Sequence, residues 1–405
     1  MTSNLKAFIH FSPPSIGEEE ITEVIDTLRS DWITTGPKVR RFEEEFSSFT
    51  GAPEALAVNS GTDAMMVGLA ALGIGPGDEV ITTPMTFCST VHVIEHLGAR
   101  PVLVDVEPDT LNIDPQLVER AITPNTRAIM PVHLYGHPCE MDSVMEIARQ
   151  NNLFVVEDAA HALPAHYKGR MIGTIGTMTA FSFYATKNLT TAEGGMLTGD
   201  SILINRARLW SLHGMSRDAY KRYSAEGSWY YEVVLPGFKC NMTDIQASLG
   251  LQQLKKLPAF QTRRREVVQA YNEAFQGIPE LEIPVERPEV ESSWHLYVVR
   301  LNLDRLSIDR ARYIEELKAR NIGTSVHFIP IHLHPYYRDK YGYLPEDIPI
   351  AYGNYKRIVT LPLHPRLSEE DVARIIGAVK EVSAVFRRRK MWRMSSEQSK
   401  KLRRS

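Results

Sequence analysis

Leu153-Phe154-Val155-Val156-Glu157-Asp158-Ala159-Ala160-His161 is the stretch on which the fold turns. Leu153–Glu157 is a short apolar run, the pattern of a strand covered on both faces, and it delivers an acid, Asp158, to its carboxyl end. Comparable runs occur at Leu56–Asn59, Glu79–Thr82, Pro101–Val106, Ala128–Val132 and Thr179–Phe183. Between them, Asp63–Leu72, Thr90–Leu97, Pro115–Ala121 and Met141–Gln150 read as helices. Strands separated by helices predict an α/β fold with a mostly parallel sheet flanked by helices. Ligands of such sheets bind at the carboxyl ends of the strands, which is where Asp158 falls.

Beyond residue 240 the pattern changes. A helix is expected over Thr243–Leu257, ending near Pro258, and a second over Gln261–Phe275. A Pro-punctuated loop, Gly277–Pro288, precedes a strand at Trp294–Leu301, a helix at Ser307–Asn321, a His-rich strand and loop at Gly323–Pro335, and a helix at Ser368–Phe386. The expected division is a large unit over 1–258 with an N-terminal arm at 1–35, a smaller α+β unit over 259–386, and a basic, mobile tail over 387–405.

With 405 residues, 43% hydrophobic and 23% charged, the chain can bury a substantial core, and two units suit its length. A net charge of -3 gives no general attraction to nucleic acid or anionic membrane, so neither is expected as a partner; the tail is read as a solvated end. Cys88, Cys139 and Cys240 have no metal-ligand spacing, and no metal is expected. The first residues lack a basic segment followed by an apolar one, and no apolar run spans a bilayer, so a soluble cytoplasmic protein is expected.

Three clusters carry chemistry. In Asn59-Ser60-Gly61-Thr62-Asp63-Ala64 a strand runs through a glycine into a helix start, where free amides and the helix dipole suit a phosphate; the same residues also make an ordinary N-cap. Asp158 can pair with a pyridinium N–H and keep that ring an electron sink, or cap the next helix. His161 can sit beside such a ring or cap a turn. In Phe181-Ser182-Phe183-Tyr184-Ala185-Thr186-Lys187-Asn188, followed by Glu193-Gly194-Gly195, a strand ends in a serine and a lysine follows in a turn. A lysine in a crowded, desolvated site loses its proton near neutral pH and attacks a carbonyl, although a single lysine is more often a surface cation. The order of the clusters over successive strands favours chemistry.

These segments resemble the DegT/DnrJ/EryC1/StrS sugar aminotransferases, of the aspartate-aminotransferase fold, over nearly the whole chain before the tail. The resemblance includes Thr34-Thr35-Gly36-Pro37 with Phe42-Glu43, Gly75-Pro76-Gly77-Asp78-Glu79-Val80-Ile81, Glu157 through His161, Ser182 through Lys187, and Cys240-Asn241-Met242-Thr243-Asp244-Ile245-Gln246-Ala247. It implies a pyridoxal 5′-phosphate (PLP) enzyme in which Lys187 holds the cofactor as a Schiff base and shuttles a proton. Asp158 would contact the pyridine nitrogen, and Gly61, Thr62, Asp63 and Ser182 would line the phosphate site. Phe87 would stack on the ring, and His161, where many relatives have Gln, would lie beside it. Asn241 would reach the phosphate of the neighbouring subunit, making a homodimer with shared sites.

The resemblance also implies amino transfer from L-glutamate to a nucleotide-linked keto sugar, a 4-keto-6-deoxy hexose, in amino sugar and polysaccharide biosynthesis. Arg217 is a candidate for the substrate diphosphate as well as an ordinary surface cation, and His327 is implied near the sugar nucleotide. His327, His332 and His334 raise metal binding, but no acidic or Cys partner lies beside them. A PLP-dependent sugar dehydratase or lyase, which in some relatives has His at the position of Lys187, and a non-catalytic member of the fold are the alternatives.

Overall fold

The computed structural model describes residues 7–215 and 230–388. Its centre is a seven-stranded sheet of β1 (Glu54–Val58), β2 (Glu79–Thr82), β3 (Arg100–Leu103), β4 (Thr126–Met130), β5 (Phe154–Asp158), β6 (Met178–Ser182) and β7 (Gly195–Gly199), in the order β1-β7-β6-β5-β4-β2-β3. Neighbours from β6 to β3 pair in parallel, whereas β7 is antiparallel to both β1 and β6. The expected α/β sheet is therefore present, with one reversed strand that the sequence did not announce.

Alternation along each strand explains why both faces are covered. Ala55, Ala57, Val155 and Phe181 enter one core with Val39, Phe42 and Phe46 of the helix Pro37–Thr50 and Leu251, Leu254 and Leu257 of the helix Asp244–Phe275. Leu56, Val58, Val156 and Ala180 enter the opposite core with Ala64, Met65, Val67 and Leu69 of the helix Gly61–Leu72. Two helices also precede β1; one of them, Glu18–Arg29, lies within the stretch expected as an arm.

A second core gathers Val267, Tyr271 and Phe275 with Tyr297, Val299, Leu301, Val359, Leu361, Ile375 and Val379. It covers a three-stranded antiparallel sheet of Leu281–Glu282, Tyr297–Leu301 and Ile358–Leu361. Ile9 belongs to this core and bridges Ile322, although residues 1–35 are expected with the large unit.

Two local expectations are corrected. Asp244–Phe275 is one 32-residue helix that runs through Pro258, not two helices broken there, and the expected division at 258/259 lies within it. A mid-helix proline costs about 3 kcal/mol. Leu254 and Leu257, both buried just before it, offset that cost at about 1.5–3 kcal/mol each. The His-rich segment forms no regular strand: it has one bridge, Ser325 to Thr360, then a 3₁₀ turn at Ile331–Leu333 and a helix at Pro335–Tyr341. No helix among the described residues is long and apolar enough to cross a membrane.

Candidate active site

The strand ends of the central sheet enclose a cavity of about 460 Å³, within the size range of small-molecule sites. The segment after β1 contributes Ser60, Gly61 and Thr62, the segment after β2 contributes Thr86 and Phe87, β5 ends in Asp158, and β6 ends in Ser182. Lys187, His161 and His327 also line it. The structure thus brings together eight of the residues singled out from sequence: Gly61, Thr62, Phe87, Asp158, His161, Ser182, Lys187 and His327.

The helix start is built by close contact. Ser60 caps the helix Gly61–Leu72, its hydroxyl accepting from the Asp63 amide at 3.0 Å. The helical pattern leaves the amides of Gly61 and Thr62 without intrahelical acceptors, at the positive end of the dipole. A Cβ on Gly61 would lie 2.7 Å from the Ser182 Cβ, and one on Gly195 would lie 2.3 Å from the Ser60 carbonyl oxygen. Only glycines let the reversed strand and the serine crowd this turn. Gly61→Ala is expected to cost about 1–3 kcal/mol of stability. It should also weaken PLP retention roughly tenfold; chemical denaturation and cofactor titration by fluorescence check both.

Asp63 does not line the cavity: its carboxylate accepts from the Ser60 hydroxyl at 2.7 Å and faces the Cys240 thiol at 3.3 Å. Burial and that neighbouring carboxylate push the thiol up to about 12. Asn241 also lies outside this cavity, bridged to Val58 beside β1 and bonded through Nδ2 to the Thr35 hydroxyl at 2.5 Å. Arg217 lies outside the described residues.

The lysine and the acid face the same space. Burial lowers the Lys187 amine to about 8, with the Asp158 carboxylate opposing part of that shift. Asp158 accepts from the Ala160 amide at 3.1 Å and from the Thr90 hydroxyl at 2.7 Å. Phe87, 59% exposed, projects an apolar ring near Phe328, centroids 6.1 Å apart. Its exposure leaves a ring face for a planar ligand.

Three histidines border the lysine in neutral form. His161 is buried, which drives its pKa far down, and the neighbouring lysine adds to the effect. Its Nδ1 accepts from the Tyr135 amide at 3.3 Å, which assigns the proton to Nε2. His295 packs against it at 4.5 Å between centroids; its Nδ1 donates to the Asn188 side-chain oxygen, because the Asn188 amide nitrogen already donates to the Ser293 carbonyl. His327 is lowered to about 4 by burial and by Lys187, and its Nδ1 lies 2.9 Å from the Thr360 hydroxyl. His332 lies outside the cavity, wholly buried.

Sequence reasoning did not find Thr86, Thr90, His295, Phe328 or Phe11. Phe11 and His295 come from the segments tied to the second core, and no local pattern links them to the sheet. Arg264 holds the His295 stretch in place by donating to the carbonyls of Trp294, His295 and Leu363. Thr90, in the first turn of Ser89–His96, reads in sequence as an ordinary helix residue.

The donor set fits an anionic, aldehyde-bearing aromatic ring: a helix start with a serine for the phosphate, a carboxylate at the strand end and a depressed amine on one cavity. These are the parts of a PLP-dependent transferase. The chain belongs to the DegT/DnrJ/EryC1/StrS aminotransferase family, whose model matches residues 14–380. It is 52% identical over 384 residues to the spore coat polysaccharide biosynthesis protein SpsC of Bacillus subtilis, covering 94% of this chain and 99% of SpsC. Spr1654 of Streptococcus pneumoniae, assigned as a sugar aminotransferase, is 40% identical; its PMP form superposes with a TM-score of 0.88 and its PLP form with 0.87, each covering 93% of this chain and 99% of Spr1654. PseC of Helicobacter pylori, an aminotransferase involved in the biosynthesis of pseudoaminic acid, is 30% identical with a TM-score of 0.87, covering 94% of this chain and all of PseC (100%). The protein is a PLP-dependent sugar aminotransferase.

Proposed function

We propose that the protein moves an amino group from L-glutamate to a nucleotide-linked keto sugar, a 4-keto-6-deoxy hexose, with Lys187 and Asp158 as its catalytic residues. The observation that carries this reading is the convergence of Lys187, Asp158 and the Gly61 helix start on one cavity. Relatives in spore coat polysaccharide and pseudoaminic acid biosynthesis support a product among the amino sugars of polysaccharides.

When bound, PLP supplies an aldehyde that bonds amines and a ring that withdraws electrons. The chain's residues do the rest. The amides of Gly61 and Thr62 and the Ser182 hydroxyl hold the phosphate, and Phe87 covers a ring face. Asp158 Oδ2 and Oδ1 present negative charge to the pyridine nitrogen and keep its proton there. Lys187 Nζ, unprotonated in part near neutral pH, would be the amine that holds the cofactor and the group that moves a proton at the donor carbon. His161, with its proton on Nε2, would offer that proton to the cofactor from the cavity wall. His327 and Arg217 meet the nucleotide sugar, and Asn241 completes the phosphate site of a partner subunit in a homodimer.

Offering the purified protein glutamate with a panel of 3-keto and 4-keto nucleotide sugars tests the reading. A mass gain corresponding to replacement of carbonyl by amine is expected with a 4-keto-6-deoxy substrate. Amination of none of the panel, with glutamate unable to convert the bound cofactor, overturns it.

A further inference from the structure

The carboxylate at the end of β5 is braced from behind. Thr90 Oγ1 lies 2.7 Å from Asp158 Oδ2, and Thr86 Oγ1 lies 2.6 Å from Thr90 Oγ1. All three are buried, Thr90 at 0%, Thr86 at 2% and Asp158 at 4% exposure, so water does not substitute for these bonds. An ionised carboxylate only accepts. Thr90 has one proton, and the 2.7 Å contact with Oδ2 takes it, since that oxygen has none to give; the Phe87 carbonyl is farther, at 3.2 Å. Thr86 must then donate to Thr90, so the two hydroxyls point the same way and end on the acid.

We propose that Thr90, backed by Thr86, is a positioning residue that fixes the Asp158 carboxylate as an oriented anion for the cofactor's ring nitrogen. The inference rests on the reading that Asp158 faces the pyridine nitrogen. Oδ1 is held by the Ala160 amide at 3.1 Å and Oδ2 by Thr90, so both oxygens have a fixed donor and the carboxylate plane cannot turn without losing one. A hydrogen bond to a charged acceptor is about twice as strong as a neutral one. The same short segment carries Phe87, which lines the ring side of the cavity, and Thr90 three residues on, so one loop-to-helix turn sets both ring face and counter-charge.

The structural alternative is that Thr90 only closes the first turn of its helix through the Phe87 carbonyl. Holoenzyme carrying PLP labelled with ¹⁵N at the ring separates the two. Thr90→Val keeps the shape and removes the hydroxyl. It is expected to weaken PLP retention roughly tenfold to hundredfold and to move the ring ¹⁵N signal toward the unprotonated value. Thr90→Ser should restore both to within about threefold, since the hydroxyl is what matters. Thr86→Val, which leaves the direct bond in place, should shift both in the same direction by less, and it decides the matter if Thr90→Val does not fold.

Wild-type retention and ¹⁵N signal in Thr90→Val or Thr86→Val, while Asp158→Asn loses both, overturns the positioning role and leaves the Asp158 reading standing. Thr90→Ser as impaired as Thr90→Val also overturns it. Wild-type values in Asp158→Asn overturn the underlying reading, and the positioning role falls with it.

Discussion

Lys187→Met should abolish measurable transamination, with a loss on the order of 10⁴-fold or more, because in the proposed mechanism one amine serves both as covalent anchor and as proton carrier. Burial lowers this amine to about 8 from 10.5, so a usable fraction is unprotonated near neutral pH. The check is single-turnover conversion of bound cofactor by glutamate, read by absorbance. Unimpaired turnover in the variant would remove Lys187 from the mechanism.

The same shift predicts a stability signature in cofactor-free protein. The folded amine releases its proton near 8 and the unfolded one near 10.5, so between these values the unfolded chain holds more protons. Stability of the wild type therefore rises with pH across that window; the cost of burying the charge is full below 8 and gone above 10.5. A fully desolvated amine would cost about 3 kcal/mol. Lys187 is only half-buried in the cavity wall, which discounts that to about 1–2 kcal/mol. Lys187→Met should be more stable than wild type by this amount at neutral pH, with the advantage vanishing in alkali. Denaturant titrations at several pH values measure it.

Asp158→Asn should lower kcat on the order of 10²–10³-fold. The amide matches the carboxylate in shape, and its oxygen can still accept from Thr90 or Ala160, so stability should stay within about 1 kcal/mol of wild type. What the proposed mechanism then loses is the negative charge opposite the ring nitrogen, and with it the ring's capacity to withdraw electrons. Cofactor retention should weaken while binding of the amino donor changes less. A variant with normal kcat and normal retention would show that Asp158 serves only the local turn.

Much of this architecture was legible because it depends on local patterns. The strand runs at 54–58, 79–82 and 154–158 lie within two residues of where the apolar runs place them, since burial on both faces leaves no polar alternative. β7 was not visible: Gly194, Gly195 and Gly199 give the segment the look of a loop, and only pairing with β1 and β6 makes it a strand. Pro258 misled for the opposite reason, because a local helix breaker is overruled by buried neighbours.

By itself the sequence determined the α/β alternation, the order of helix start, strand-end acid and turn lysine, and through these the family. Tertiary structure alone decided that Thr86 and Thr90 stand behind Asp158, that His295 packs on His161, and that Phe11 closes the cavity from the N-terminal side. Thr90 and Asp158 are 68 positions apart, His161 and His295 farther still, and the energy of such contacts depends on exclusion of water by both cores. Spacing along a chain encodes period and turn chemistry; which distant side chains share a desolvated space is set only when the layers pack.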